Sequence, residues 1–242
     1  MVRGINFGTA LVVGWAMWTA ADPQQSLDPF VVAPEHFHLE FENQYVRVVR
    51  EHTAPHQKVP MHQHSLGGVM VLLTDQNIRQ TLPDGSTREI HRKAGETYWG
   101  DPQTHAGENI SDKPFEYVRV DIKPASNRIN PSAPIAPVQQ SLDPTVVDPA
   151  HFKVEIENEH VRVIRIKPER GHQATHAHPA PGAIVVALTD AELRLRLSDG
   201  SSREVSYKAG DARWSATTDP HQDEVISEQP VELIRIEPKI RK

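Results

Sequence analysis

The chain has 242 residues, no cysteine and a formal net charge of −6, from 26 Lys+Arg against 32 Asp+Glu. The absence of cysteine excludes disulfides, thiolate zinc sites and iron–sulfur clusters, and the mild acidity gives no electrostatic reason to bind nucleic acid. Any metal held by the protein must therefore use histidine, carboxylate or backbone oxygen, and the sequence contains 14 histidines.

The amino-terminal 21 residues differ in composition from the rest. Arg3 precedes a mostly apolar run at 5–18, small residues follow at 19–21, and the chain becomes polar at Asp22. This order is typical of a signal peptide, and the apolar run is shorter than the roughly 20 residues of a membrane span. We expect a periplasmic or secreted protein with no stable membrane insertion after cleavage. A cytoplasmic protein is the alternative if this segment is not a signal.

The remainder of the chain is a tandem duplication. The residues QQSLDP at 24–29 return at 139–144, and an ungapped comparison from there to Arg50 and Arg165 gives 18 identities in 27 positions. A proline-rich stretch at 124–138 separates the copies and is typical of a semi-rigid linker. The predicted domains are thus 24–123 and 139–238.

Each copy shows the pattern of short strands. Apolar and charged residues alternate with a period of two, and the Asp-Gly pairs at 84–85 and 199–200 predict hairpin turns. No segment longer than one turn has the periodicity of an amphipathic helix. The predicted fold class is all-β, an antiparallel barrel or sandwich in each copy. The predicted strands are 45–50, 69–73, 78–82, 87–90 and 116–122, with counterparts at 160–166, 183–188, 193–197, 203–205 and 231–236.

Histidine pairs spaced i, i+2 occur three times. The second copy does not keep the pair His36 and His38, which we interpret as structural or surface residues. It does keep the other two pairs, and a third histidine follows each of them; residues i and i+2 of a strand share a face. We predict two three-imidazole sites for a divalent metal, and satisfied histidines without metal are the alternative. The two predicted sites are His62, His64 and His105, and His176, His178 and His221.

These residues together resemble the two motifs of the cupin superfamily. The first copy matches at His62, His64, Gly85, Gly95, Pro102, His105 and Asn109, and the second at Gly171, His176, His178, Gly200, Gly210, Pro220 and His221. The resemblance covers nearly all of both copies. It implies a two-domain bicupin, with two tandem jelly-roll antiparallel β-barrels and one metal site in each.

The chain departs from the cupin motif at the carboxylate ligand. The motif glutamate should fall at 68–69 and 182–183, where both copies have Gly followed by an apolar residue. Glu108 and Glu224, three residues after His105 and His221, are not expected to replace it. Residue i+3 on a regular strand faces away from the barrel interior unless a bulge intervenes. Oxalate-degrading bicupins use Mn(II) with three histidines and a glutamate, so the resemblance argues against that chemistry. Family members with three histidines alone include thiol, diketone and aromatic-ring dioxygenases that use Fe(II).

The resemblance favours a dioxygenase-like oxidoreductase that acts on a small polar or anionic substrate with Fe(II); Zn, Mn, Ni or Cu are alternatives. Two other functions stay open: a non-catalytic small-molecule or metal-binding bicupin, and a metal-dependent lyase, isomerase or hydrolase. No catalytic residue is assigned, and homo-oligomerisation is left open. The first copy keeps more of the motif and is expected to carry the chemistry. Candidate substrate-pocket residues are Tyr98, Trp99, Asn109 and Trp214. Four arginines on alternating strands are predicted to face solvent, with binding of an anion as the alternative: Arg47, Arg50, Arg162 and Arg165.

Overall fold

The structure is a computed structural model that describes residues 26–124, 142–179 and 181–239. The predicted signal at 1–21 and nearly all of the predicted linker at 124–138 lie outside this range. The elements of the first copy are α1 (Pro29–Val32), β1 (Phe37–Glu42), β2 (Val46–Thr53), β3 (Lys58–His64), β4 (Gly68–Leu72), β5 (Gln76–Thr81), β6 (Thr87–Arg92), β7 (Thr97–Gly100), β8 (Gln103–Asn109) and β9 (Phe115–Ile122). Those of the second are α2 (Pro144–Val147), β10 (Phe152–Glu157), β11 (Val161–Ile166), β12 (Gln173–His176), β13 (Ala183–Ala187), β14 (Ala191–Leu197), β15 (Ser202–Tyr207), β16 (Ala212–Ser215), β17 (His221–Val225) and β18 (Leu233–Pro238).

Each copy forms a five-stranded and a four-stranded antiparallel sheet. The strand orders are β1-β2-β9-β4-β7 and β3-β8-β5-β6 in the first copy, and β10-β11-β18-β13-β16 and β12-β17-β14-β15 in the second. The predicted hairpin turns join β5 to β6 and β14 to β15, and Gly85 and Gly200 adopt the left-handed backbone (φ 83° and 84°) that favours glycine. The all-β prediction of two tandem jelly-roll barrels is confirmed.

The last two residues of the repeated QQSLDP segment, Asp28 and Pro29 in the first copy, start a helical turn. The Asp28 carboxylate accepts a hydrogen bond from the amide of Phe30 (2.9 Å), and Pro29 supplies the first residue of α1, so the segment starts a single helical turn. The carbonyl of Leu27 accepts a hydrogen bond from the amide of Gln63 (2.7 Å). The segment is thereby tied to β3, the strand that carries His62 and His64.

The two barrels share one apolar core. The five-stranded sheets meet face to face, and every second residue of their central strands points into the contact. Its fully buried members are Val46, Val48, Val69, Val71, Val118 and Val120 from the first copy and Val161, Val163, Ile184, Val186, Ile234 and Ile236 from the second. At the rim, the Trp99 ring stacks on His160 (5.2 Å between centroids) and the Tyr45 ring stacks on Trp214 (5.6 Å).

Two arginines connect the barrels across this contact, so the prediction that they face solvent is wrong. Arg50 Nη2 donates to the carbonyl of Gly210, and Arg165 Nη2 donates to that of Gly95, both at 2.6 Å. Each guanidinium also pairs with two carboxylates of its own barrel. The period-two alternation is present, but Arg50 and Arg165 lie on the face of β2 and β11 that meets the other barrel instead of water.

Arg47 and Arg162 are also paired. They lie on the opposite face of β2 and β11, where Arg47 bonds Asp121 through Nε (3.0 Å) and Nη2 (2.8 Å), and Arg162 bonds Asp143. All four guanidinium groups are therefore held by carboxylates. Within the described ranges, no helix combines the length and apolar character needed to cross a membrane.

Candidate metal centres

The first histidine triad joins two neighbouring strands of the four-stranded sheet. His62 and His64 lie on β3, and His105 lies directly opposite His62 on β8. Their candidate ligand atoms lie within 4.8 Å of one another, with 3.1 Å between Nε2 of His62 and Nε2 of His64. The Nδ1 of His62 donates to the carbonyl of Pro60 (2.8 Å), which leaves the Nε2 lone pair free to bind a metal.

The second triad repeats this arrangement. His176 ends β12 opposite His221 on β17, and His178 follows two residues after His176. The candidate ligand atoms again lie within 4.8 Å of one another. The Nδ1 of His221 donates to the carbonyl of Asp219 (2.7 Å), so a hydrogen bond to a backbone carbonyl two residues earlier orients one ring in each site.

Burial keeps five of the imidazoles neutral, those of His62, His64, His105, His176 and His178. Burial in the barrel lowers the pKa of His105 and of His176 to about 3, and the nearby cations Arg119 and Arg235 act in the same direction. Burial lowers the pKa of His62, His64 and His178 as well. At neutral pH these five rings therefore offer the lone pairs that metals bind.

The donor set fits a divalent transition metal. In the described part of the chain, Nε2 of the fully buried His176 has no hydrogen-bond partner. A buried ring nitrogen without a partner is costly, and metal ligation would satisfy it. Three imidazoles whose ring nitrogens lie close enough together to bind one ion suit Fe, Zn, Ni, Cu or Mn.

A cavity of about 240 Å³ opens next to the first triad. Its walls include Glu51, Tyr98 and Tyr117, together with Arg88 and Arg92. The Arg92 guanidinium lies 3.6 Å from the centre of the Tyr98 ring, a cation–π contact. The first triad thus faces a polar space of small-molecule size.

No protein-family model matches the chain, and a search of curated proteins found no match. Solved structures do match. AerE from Microcystis aeruginosa is 17% identical, with 84% of this chain and 93% of that chain covered and a TM-score of 0.59. Oxalate decarboxylase from Bacillus subtilis, studied for its Mn(II) centres, is 12% identical (85% and 76% covered, TM-score 0.55). Salicylate 1,2-dioxygenase from Pseudoaminobacter salicylatoxidans, as a mutant, is 10% identical (80% and 70%, TM-score 0.55).

These structures align with both barrels together, and the chain shares their architecture over at least 80% of its length. The chain has the bicupin fold. At these identities the likeness concerns the fold alone, so the chemistry of this bicupin has to be argued from its own residues.

The first barrel of this bicupin has a neighbouring carboxylate where the motif glutamate would project. Gly68 pairs with Asp121 of β9, and a Cβ added to Gly68 would lie 3.0 Å from the Asp121 carboxylate. Arg47 and Arg119 hold this carboxylate at 2.8 and 2.6 Å. In the second barrel Gly182 has a φ of 121° and its Cβ would clash with the carbonyl of Ser215, so a side chain is excluded there too.

Glu108 and Glu224 lie outside the triads, as the strand alternation requires. Glu108 pairs with Arg79 (3.2 Å), and Glu224 pairs with Arg194 (3.2 Å) on the outer side of the four-stranded sheets. Neither carboxylate belongs to the groups of candidate metal ligands in the described residues.

The second barrel has a carboxylate that the sequence analysis missed. Asp223 lies two residues after His221 on the same face of β17, with its oxygens 3.6 Å from Nε2 of His221 and 3.7 Å from Nε2 of His176. Its Oδ1 is buried and has no hydrogen-bond partner among the described residues. The equivalent position of the first barrel is Gly107. This difference between the copies was the signal available in the sequence.

The first barrel has a buried acid that the sequence analysis also missed. The Glu51 carboxylate accepts hydrogen bonds from the hydroxyls of Tyr117 and Thr53. Burial raises its pKa from the ordinary 4.5 to about 7, although both hydrogen bonds oppose the rise. The pair Glu51 and Tyr117 corresponds to Ile166 and Leu233 in the second barrel, which are also opposite each other. Only the first barrel therefore contains this acid–base pair.

The candidate pocket residues occupy different surroundings. Tyr98 faces the first cavity, whereas Trp99 and Trp214 also stack on residues of the opposite barrel. The Asn109 amide donates to the carbonyls of Thr53, Ala54 and Lys113 and so ties two loops together.

The first histidine pair lies outside both triads. His36 is buried, with its Nδ1 3.2 Å from the carbonyl of His52, and His38 is exposed. Neither residue belongs to a candidate metal group in the described range.

Replacement of Glu51 by Gln should change the pH dependence of stability. The folded pKa of Glu51 exceeds its ordinary value, so its contribution to stability is full below pH 4.5 and is lost as the pH rises through about 7. The difference between these two values corresponds to roughly 3 kcal/mol. We expect the unaltered protein to lose roughly that much more stability than Glu51→Gln between pH 4.5 and 8, measured by urea denaturation.

The control for this measurement is Glu108→Gln, whose carboxylate lies on the outer side of the barrel. This variant should keep the pH dependence of the unaltered protein. A difference between Glu51→Gln and the unaltered protein that does not vary with pH would contradict the assignment.

Proposed function

We propose that this bicupin is a metal-dependent, dioxygenase-like oxidoreductase that acts on a small polar or anionic molecule in its first barrel. One observation carries the proposal: three neutral imidazoles meet beside a cavity of about 240 Å³ that also contains a protonatable carboxylate. A perturbed titratable group in the same cleft as a ligand set is typical of a functional site.

The first triad would hold the metal through His62, His64 and His105, with Fe(II) favoured over Zn, Mn, Ni or Cu. Such an ion supplies redox chemistry toward O2 and Lewis acidity at its open coordination positions. Because the three ligands are neutral, they leave the charge of a divalent ion uncompensated. This favours an anionic substrate in the cavity.

The cavity walls support binding of an anion and transfer of a proton. Arg88 and Arg92 supply positive charge at the wall, and Arg88 is oriented by a hydrogen bond to Gln80 (2.7 Å). Glu51 titrates near neutral pH and so can take or give a proton at its carboxylate oxygen. Burial raises the pKa of Tyr117 well above its ordinary value, so its hydroxyl stays protonated and keeps Glu51 oriented.

The second barrel is proposed to hold a metal without carrying out the reaction. Asp223 places a carboxylate beside its triad, and as a ligand it would lower the net charge of a bound ion and favour retention over reactivity. The positions equivalent to the acid–base pair are occupied by Ile166 and Leu233. The first copy is therefore the better candidate for chemistry.

A second candidate function is favoured by Glu51 itself. A base with a pKa of about 7 beside a Lewis-acid site suits a lyase, isomerase or hydrolase that does not need O2. A non-catalytic small-molecule binder is the third. Oxygen dependence and product formation distinguish the three functions.

Replacement of triad histidines tests the metal sites. Relative to the unaltered protein, His62→Ala and His176→Ala should each lose one equivalent of metal, and the double variant should lose two. His38→Gln, on an exposed strand position, is the control and should lose none. The measurement is elemental analysis after anaerobic loading with Fe(II) and desalting; unchanged metal content in the double variant would contradict the ligand assignment.

An oxygen-uptake screen tests the reaction. We expect the Fe(II)-loaded protein to consume O2 with at least one compound from a panel of small aromatic hydroxyacids, diketones, dicarboxylates and thiols, with products followed by NMR. His62→Ala should abolish uptake, and Glu51→Gln should slow it about 10²- to 10⁴-fold because proton transfer is lost. His176→Ala should retain it.

Two outcomes of this screen would overturn the oxidoreductase proposal. Turnover that proceeds equally well without O2 would indicate the lyase, isomerase or hydrolase. Binding of panel compounds with no turnover under either condition would indicate a non-catalytic binder.

We further propose that residues 1–21 direct export to the periplasm or the medium. Support comes from the order of a basic residue, an apolar run and small residues in the sequence. Mass spectrometry of the protein recovered from its source should find a mature chain that begins at Asp22. An intact chain in the cytoplasmic fraction would contradict export.

A further inference from the structure

A third cluster of metal-ligating side chains lies outside both triads. Asp148 Oδ1 is 2.8 Å from Nδ1 of His151, and Asp148 Oδ2 is 2.7 Å from Nε2 of His172. The centroids of the two imidazoles are only 4.0 Å apart. One candidate ligand atom from each residue lies within 4.8 Å of the other two. We call this group the Asp148 cluster.

The backbone holds all three residues of the cluster in place. Asp148 caps the end of α2, and its carbonyl accepts hydrogen bonds from the amides of His151 (3.2 Å) and Phe152 (3.1 Å). His172 precedes β12, where its carbonyl accepts a hydrogen bond from the amide of Val225 (3.2 Å). The three side chains are thus brought together by two separate connections of the second barrel, each fixed by main-chain bonds.

The duplication does not by itself produce this cluster. The equivalent positions of the first barrel are Ala33, which caps α1, then His36 and Gln57. There the cap is apolar and His36 instead faces the carbonyl of His52. Since the fold is the same in both copies, it does not require Asp148 or His172 at these two positions.

The Asp148 cluster is half-buried, with side-chain exposures of 12% for Asp148, 24% for His151 and 22% for His172. Two imidazoles and one carboxylate form a borderline donor set that suits Zn and neighbouring divalent transition metals. Zn–N and Zn–O bonds of about 2.0–2.2 Å at the tetrahedral angle place two ligand atoms of one ion about 3.3–3.6 Å apart. The two oxygens of Asp148 each contact a different ring nitrogen, at 2.8 and 2.7 Å, which are hydrogen-bond distances. Each contact has to lengthen by less than about 1 Å for the side chains to ligate one ion.

We propose that Asp148, His151 and His172 bind a divalent transition metal of the zinc type, and that solvent completes its coordination. This site is independent of the function proposed for the triads. Its position gives it a mechanical role: it joins the start of the second copy, just after residues 125–141, to the connection between β11 and β12. The bound ion links the α2–β10 connection, which carries Asp148 and His151, to the β11–β12 connection, which carries His172.

The second triad lies next to the Asp148 cluster, so the total metal content of the protein does not show which of the two sites an ion occupies. Phe152, the residue after His151, packs its ring 5.1 Å from the ring of His176. Metal content alone would therefore not assign an ion to the cluster. The test has to compare variants of the cluster with the unaltered chain, so that the ions of the triads cancel.

The probe is Zn(II), added to the full-length protein and followed by isothermal titration calorimetry with elemental analysis. His172→Gln installs the residue that the first copy has at this position, and it should bind one equivalent of Zn(II) fewer than the unaltered protein. His38→Gln removes an exposed histidine elsewhere and should lose none. Zn(II) should also raise the thermal unfolding midpoint of the unaltered protein more than that of His172→Gln.

Equal Zn(II) binding by His172→Gln and the unaltered protein would overturn the proposal and leave Asp148 as a hydrogen-bond acceptor for two imidazoles. If His172→Gln loses more than one equivalent, its fold has changed, and Asp148→Asn decides. That variant keeps the size of the side chain but removes its charge. Loss of one equivalent in Asp148→Asn supports the site, and full retention rejects it. Each result is the difference in Zn(II) equivalents between a variant and the unaltered protein. The triads are the same in both, so it does not matter whether they bind Zn(II).

Discussion

The face-to-face contact between the two five-stranded sheets is the constraint on which the rest of the structure depends. Each central strand in these sheets is buried on both sides, because one face meets the opposite barrel and the other lines its own barrel. Burial of a Val or Ile side chain contributes about 1.5–3 kcal/mol, and the shared core contains twelve that are fully buried. The remaining face of each strand is then free to carry polar groups such as Arg119 and Asp121.

This arrangement explains how much of the fold the sequence could predict. The duplication, the hairpin turns and the alternation of β2 and β11 depend on local spacing, so they were predictable. Whether the outer face of a strand contacts solvent or protein depends on where the other barrel lies, and period-two alternation carries no information about that. Arg50 and Arg165 were therefore assigned to solvent although they bond to carbonyls across the contact.

The candidate site residues also divide into those that local sequence spacing could predict and those that it could not. The triads could be predicted because His-x-His on a strand puts both rings on one side and the copies agree. Glu51 could not, because both faces of β2 are buried and its position shows no contrast with its neighbours. Comparison of the copies at inward positions would have shown it, since Ile166 replaces Glu51 and Asp223 replaces Gly107. Ligands drawn from separate loops, as in the Asp148 cluster, leave no local pattern at all.

The two barrels have diverged at the positions that decide chemistry. The first retains a buried acid whose pKa is raised to about 7 and an open triad, and the second replaces the acid–base pair by apolar residues and adds a carboxylate beside its histidines. Burying Glu51 destabilises the folded protein at neutral pH, and such a cost is typical of a functional site. We therefore propose that the reaction takes place in the first barrel and that the second barrel retains its metal.

The most direct test of this account is anomalous X-ray diffraction from crystals grown with Fe(II) under anaerobic conditions. The account predicts a peak at each triad, with only His62, His64 and His105 as protein ligands in the first barrel and an Asp223 oxygen joining the three histidines in the second. A first triad without a peak, or one completed by a protein carboxylate, would contradict it.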